Sequence, residues 1–228
     1  MTTEQNKPTV TRISRTRKEL IAKYATAACF LYGIIDIPEF VKVFNRYEED
    51  KTTAQETCLA LERLARTDDV EYSLYDGNIF GPDFQPDFPD DLKKARIVKS
   101  HQKGKPRYLP EKDEFLRYFD PEYREPEKPY ADLKAYILKN KLSTKKGIHG
   151  VDGDLMDLHE MIQADVEAAG ILQYFVDKGY PFQNIDAINA FLQRLTDVMN
   201  NTRLFENNGF TPRELFEKHE RPLMPMRK

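Results

Sequence analysis

The chain has 228 residues, 40% of them hydrophobic, which suffices for one large domain or two small ones around an ordinary core. Its formal net charge of −3 excludes a uniformly basic nucleic-acid binder. No apolar run approaches the roughly 20 residues that cross a bilayer, and the longest, "YATAACFLYGIIDI", is interrupted by Gly33 and Asp36.

Residues 1–16 read as a flexible basic arm, polar and without apolar periodicity. They lack the charged, apolar and small-residue order of a secretory signal, and Cys29 and Cys58 form no CxxC pair. A cytoplasmic protein with buried free thiols is expected, rather than a disulfide framework or a cysteine zinc site.

From Arg17 the pattern turns helical, with Leu20, Tyr24, Ala27, Ala28 and Leu31 on one face and Gly33 as the stop. "IIDI" is a short β-branched stretch. "DIPEFVKVFNRY" opens a second helix with Pro38 near its first turn. Thr52 or Thr53 caps a third, with Glu56 completing a capping box. In "VEYSLYDGNIFGPDF", Asp76-Gly77 between two apolar stretches predicts a hairpin, because a tight turn between twisted strands needs positive φ. Residues 17–82 thus order as helix, strand, helix, helix and hairpin, the order of a winged helix.

Residues 83–109 read as an acidic and then basic linker. Its second half, "KKARIVKSHQKGKPR", holds seven bases and no acid and is expected to form a short strand or an extended strap. From 110 to 228 the periodicity predicts a helical domain, so the whole is expected to be mainly α, a winged-helix-like N-terminal module followed by a helical bundle. Within "NNTRLFENNGFTPREL", Asn200 and Asn201 fall inside a helix and Asn207-Asn208-Gly209 suits its left-handed stop. Thr211, Pro212 and Glu214 open the next helix as a Thr-x-x-Glu box.

The stretches "LYGIIDIPEFVKVFNRY", "DEFLRYFDPEYREPEKPYADLKAYI" and "NNTRLFENNGFTPRELFEKHERP" resemble a group of uncharacterised bacterial proteins, mostly from low-GC Gram-positive lineages, that often carry a small zinc-binding SEC-C motif. The resemblance implies an architecture and no activity. That motif needs a CxC and an HC or CC cluster, and no cysteine follows Cys58, so its zinc role does not extend to this chain.

Three sets of residues carry candidate chemistry. The basic N-terminal residues Arg12, Arg15, Arg17 and Lys18, with Lys93, Lys94, Arg96, Lys99, Lys103, Lys105 and Arg107 of the strap, are the cations that would meet nucleic-acid phosphates. The third helix, by contrast, offers Gln55, Arg63 and Arg66 alongside Glu56 and Glu62, and the wing carries Asp76 and no base. His149, Asp152, Asp154 and His159 form the densest set of metal-ligand types, although the rest of a calcium loop and the HExxH spacing are missing and helix capping explains the aspartates equally. Asn200, Asn201 and Arg203 are polar groups on or beside a packed helix that still require partners. With no GxSxG, Walker loop or GxGxxG, the expectation is a non-enzymatic interaction or regulatory protein without a cofactor, binding a protein partner or a second copy. Nucleic-acid regulation through the basic segments is the alternative, and a metal-dependent hydrolase the weaker one.

Overall fold

Helix starts follow the short-range caps. In the computed structural model, which describes residues 13–67, 69–123, 125, 128–142 and 150–223, Ser14 Oγ accepts the Arg17 N–H and opens α1 (Arg15–Tyr32). Gly33, at φ 71°, ends it. Strand β1 (Ile34–Asp36) leads into α2 (Ile37–Tyr47), capped by Asp36 with Pro38 in its first turn. Helix α3 (Ala54–Ala65) starts on Thr53, whose Oγ1 accepts the Glu56 N–H. Strands β2 (Ser73–Tyr75) and β3 (Asn78–Phe80) pair around Asp76-Gly77, both at positive φ, and the antiparallel sheet runs β1-β3-β2. Behind β3, a Cβ on Gly81 would meet the Gly33 and Cys29 carbonyls at 3.1 and 3.2 Å, a tight fit that glycine avoids.

The linker departs from expectation. Residues 89–102 form α4 (Pro89–Gln102), where a strap was expected. The prolines end before the helix interior, with Pro89 at its first position. Asp90 and Asp91 then occupy the first turn and Lys99 and His101 the last, the charge order that the helix dipole favours.

The chain divides into two units, and the boundaries also differ from those expected: the first holds Met1–Lys94 with Leu109–Pro121, the second Ala95–Tyr108 with Glu122–Lys228. The short helix α5 (Lys112–Arg117) therefore belongs with α1, not with the later helices. Its Phe115 is fully buried against Tyr24, Tyr47 and Tyr32, at ring-centroid distances of 5.8, 5.2 and 6.2 Å. Tyr47 donates to the Pro110 carbonyl at 2.7 Å, and Lys112 Nζ meets Glu48 Oε1 at 2.7 Å.

In the second unit, α6 (Lys128–Lys139), α7 (Gly150–Gln163), α8 (Ala168–Asp177) and α9 (Ile185–Asn201) enclose one apolar core. Phe175 lies at its centre, edge-on to Tyr180 and Phe191. A 3-10 turn (Phe205–Asn207) and the short α10 (Pro212–Leu215), opened by the full Thr211–Glu214 capping box, follow. The protein is mainly α with one small sheet.

Candidate functional site

The cations proposed for phosphate contact divide sharply. Arg17, with a side chain 12% exposed, forks onto Glu56 at 3.0 and 3.1 Å and donates to the Asp50 and Lys51 carbonyls, both at 2.9 Å. The Glu56 hydrogen bond outweighs burial and raises the guanidinium's pKa, while Arg17 in turn holds Glu56 below the ordinary carboxylate value. Arg17 is thus a structural tie rather than a free basic arm. The Glu56 carboxylate, expected to complete the Thr53 box, is instead engaged by Arg17 and Thr52 Oγ1. Arg15 pairs with Glu19 one turn on, and Lys18 is half-buried. Arg12 and His149 lie outside the described residues.

On α4, Lys93, Lys94 and Arg96 are exposed, as is Lys103 just beyond it, while Lys99, Lys105 and Arg107 are half-buried. Lys105 is committed internally, its Nζ donating to the Glu206 carbonyl at 3.1 Å and to Asn207 Oδ1 at 2.7 Å. That contact belongs to a clamp. Gln102 Nε2 donates to the Phe205 carbonyl at 2.8 Å, Asn208 Nδ2 donates to the Gln102 and Lys105 carbonyls at 3.0 and 3.1 Å, and Tyr108 N–H donates to Asn208 O at 3.0 Å. Asn207-Asn208-Gly209 was expected to stop α9. Instead α9 ends at Asn201, where Thr202 Oγ1 turns back to the Val198 carbonyl, and the asparagines tie off α4.

Arg203 has its partners in the same region. Its Nε donates to Glu125 Oε1 at 2.7 Å, and its Nη1 donates to Glu214 Oε2 at 2.7 Å and to the Gly209 carbonyl at 3.0 Å. The guanidinium carbon lies 3.5 Å from the Tyr108 ring centroid. Asn201 Nδ2 bonds to the Asp197 carbonyl of its own helix, and Asn200 is half-buried. Neither Glu125 nor Tyr108 carries a sequence signal linking it to Arg203, because nothing periodic joins residues so far apart.

Among the described residues the metal-ligand candidates Asp152, Asp154 and His159 do not converge. Asp154, buried within α7, accepts from Lys178 Nζ at 2.7 Å and from Tyr180 OH at 2.7 Å. Lys178 also reaches Asp157 at 2.6 Å, and Tyr174 donates to that same carboxylate. Burial pulls the Lys178 ammonium toward neutrality, but these hydrogen bonds outweigh it and raise its pKa. Asp152 pairs with Lys134 and His159 Nδ1 meets Tyr130 OH at 3.0 Å, so three ligand candidates face three different partners. Among the described residues no three His, Cys, Asp or Glu converge for a metal. Thr202 gives its proton to Val198 O, so Tyr130, 2.9 Å away, donates to Thr202 and accepts from an Nδ1–H of His159. This chain is another internal tie.

Exposed polar and aromatic surface remains on the first unit and on α4. Gln55, Glu62 and Arg66 are exposed on and just after α3, and Tyr75 at 47%, Asp76 and Gly77 are exposed at the hairpin tip. Burial pushes the Cys29 and Cys58 thiols up, away from nucleophilic use. No described helix is long and apolar enough to cross a membrane. Compared with family models, curated proteins and solved structures, the chain matches none, and the resemblance noted in its sequence rests on the quoted stretches alone.

Proposed function

We propose that this is a non-enzymatic interaction or regulatory protein whose first unit is a winged-helix-type module that docks on a protein rather than reading DNA. The element order with a β1-β3-β2 sheet supports the module. One observation carries the choice of partner: the exposed wing tip, Tyr75-Asp76-Gly77, presents an aromatic ring and a carboxylate and no cation. Phosphate neutralisation supplies most non-specific DNA affinity, whereas tyrosine is enriched where proteins meet. Arg17 adds little, since it is spent on Glu56. A photo-reactive phenylalanine at position 75, with one at exposed Leu138 as control, is expected to cross-link a protein in native cells only at position 75. Salt-sensitive duplex binding by the purified chain that is lost in an Arg63→Ala/Arg66→Ala variant would overturn the reading.

A second reading has its own observation. Lys93, Lys94 and Arg96 are exposed on α4, and such a cationic helix suits a nucleic-acid backbone. Binding of single- or double-stranded nucleic acid that disappears when these three and Lys103 become glutamine supports it; no shift at low salt removes it.

A further inference from the structure

We propose that the aromatic groove of the first unit is a docking site for a short amphipathic helix of a protein partner, and that α5 is its built-in competitor. The inference rests on the reading of the first unit as a protein-docking module. The Tyr24, Tyr32 and Tyr47 rings enclose Phe115, with Phe44 against Tyr24, so residues 109–121 cover part of an aromatic face of this unit. The cover comes from far along the chain, Pro110 lying 63 residues after Tyr47. It is also slight. Helix α5 has six residues, against the roughly 12–15 at which an isolated helix becomes even marginal, and no side-chain bond caps its start at Glu111. Within residues 109–121 only Pro110, Phe115 and Tyr118 are buried. The groove holds this helix in place; the helix has little order of its own to contribute.

The groove also specifies its ligand. At its rim the Glu48 carboxylate, 17% exposed, accepts from Tyr24 OH at 2.6 Å and from Lys112 at 2.7 Å. Burial opposes its ionisation, but those bonds outweigh it and keep Glu48 charged below its ordinary pKa. The Tyr47 hydroxyl requires an acceptor, which Pro110 supplies. A partner that replaces α5 therefore brings a backbone carbonyl from an extended stretch, a lysine two residues on, and a large aromatic one helical turn after the lysine. Displacement would couple partner binding to release of residues 109–121, an autoinhibitory arrangement in which the internal segment lowers apparent affinity by the fraction of time it occupies the groove.

The probe is a fluorescent peptide of sequence LPEKDEFLRYFDP, corresponding to residues 109–121, titrated against the full chain by anisotropy. Phe115→Ala in the chain empties the groove, and the peptide is expected to bind that variant at least about tenfold more tightly than the wild-type chain, while a peptide with its own Phe replaced by Ala does not bind. A folded F115A chain, checked by circular dichroism, that ignores the peptide overturns the proposal, as does equal binding of the Phe-to-Ala peptide. If F115A does not fold, Lys112→Glu in the chain serves instead, breaking the rim pair and leaving Phe115 in place; tighter peptide binding than wild type supports the proposal and unchanged binding overturns it. A wild-type dimer in light scattering that dissolves on adding peptide would assign the occupant to a second copy and overturn the separate partner. The peptide reads the groove and the position-75 cross-link reads the wing, so each can fail without the other.

Discussion

Both units are closed by segments distant in sequence, but by opposite chemistry. In the first, Phe115 closes a cage of tyrosines with two polar contacts at its rim. In the second, the turn at Phe205–Gly209 and Arg203 close the region around Gln102–Tyr108 chiefly with hydrogen bonds and charge, beside a Tyr108–Phe210 ring contact. Apolar closure is non-directional and tolerates a neighbouring ring of similar size. Polar closure is directional, because each buried group left without its partner costs desolvation. The first should therefore be replaceable by another aromatic segment, and the second should not.

Breaking the apolar closure is the largest expected effect. Phe115→Ala removes a fully buried ring and should lower stability by about 3–5 kcal/mol, read as a shift in denaturant midpoint, with Phe115→Leu recovering much of it. Breaking the charged closure comes next. Arg203→Leu leaves the Glu125 and Glu214 carboxylates, 18% and 29% exposed, without their guanidinium. Their partial exposure reduces the cost to about 2–3 kcal/mol, below that of a fully buried pair. Arg203→Lys should restore only part, since an ammonium lacks the planar guanidinium that lies over Tyr108 and donates from separate nitrogens to Glu125 and Glu214.

Asn208→Ala sharpens the contrast at a single side chain. It removes both donors to the end of α4 and places alanine at φ 52°; a loss of about 1–3 kcal/mol is expected. Asn208→Gly should cost less, because glycine accepts the backbone and only the amide is lost.

The smallest effect separates the units by pH. Glu48 and Glu56 in the first unit have pKa values depressed from 4.5. The folded state binds their protons more weakly than the unfolded state, so their stabilisation is present above 4.5 and is lost as pH falls through the lower folded values. Urea midpoints measured from neutral pH to about pH 3 should fall less steeply for Glu56→Gln than for the wild-type chain. An unchanged slope would show that the Arg17 tie is too weak to matter.

Much of the fold was legible because capping acts within three residues. Thr53 and Thr211 each sit where their side chains accept an N–H three positions on, as Ser14 and Asp36 also do in the structure, although neither is among the caps expected from the sequence, and Asp76-Gly77 turns the hairpin on its own backbone preference. The basic run misled for a physical reason: Lys and Arg are good helix formers, and prolines confined to its front start a helix instead of preventing one. The candidate site was legible only as residue types. Arg17 stood out as a cation for phosphate contact and Arg203 as a polar group beside a packed helix, while Glu56, Glu125, Glu214 and Tyr108 could not be assigned to them.

From sequence alone came the helical character, the hairpin and the caps, since each depends on a propensity or a hydrogen bond spanning a few residues. Tertiary structure alone decided which cations are spent and which remain available. Arg17 meets Glu56 across 39 residues, Lys105 meets Asn207 across 102, and Asn208 reaches Gln102 across 106. Such contacts depend on where the chain returns, which no local preference records. The asparagines in "NNTRLFENNG" show the difference, for the sequence marks a turn there and only the folded chain shows that it closes a helix a hundred residues earlier.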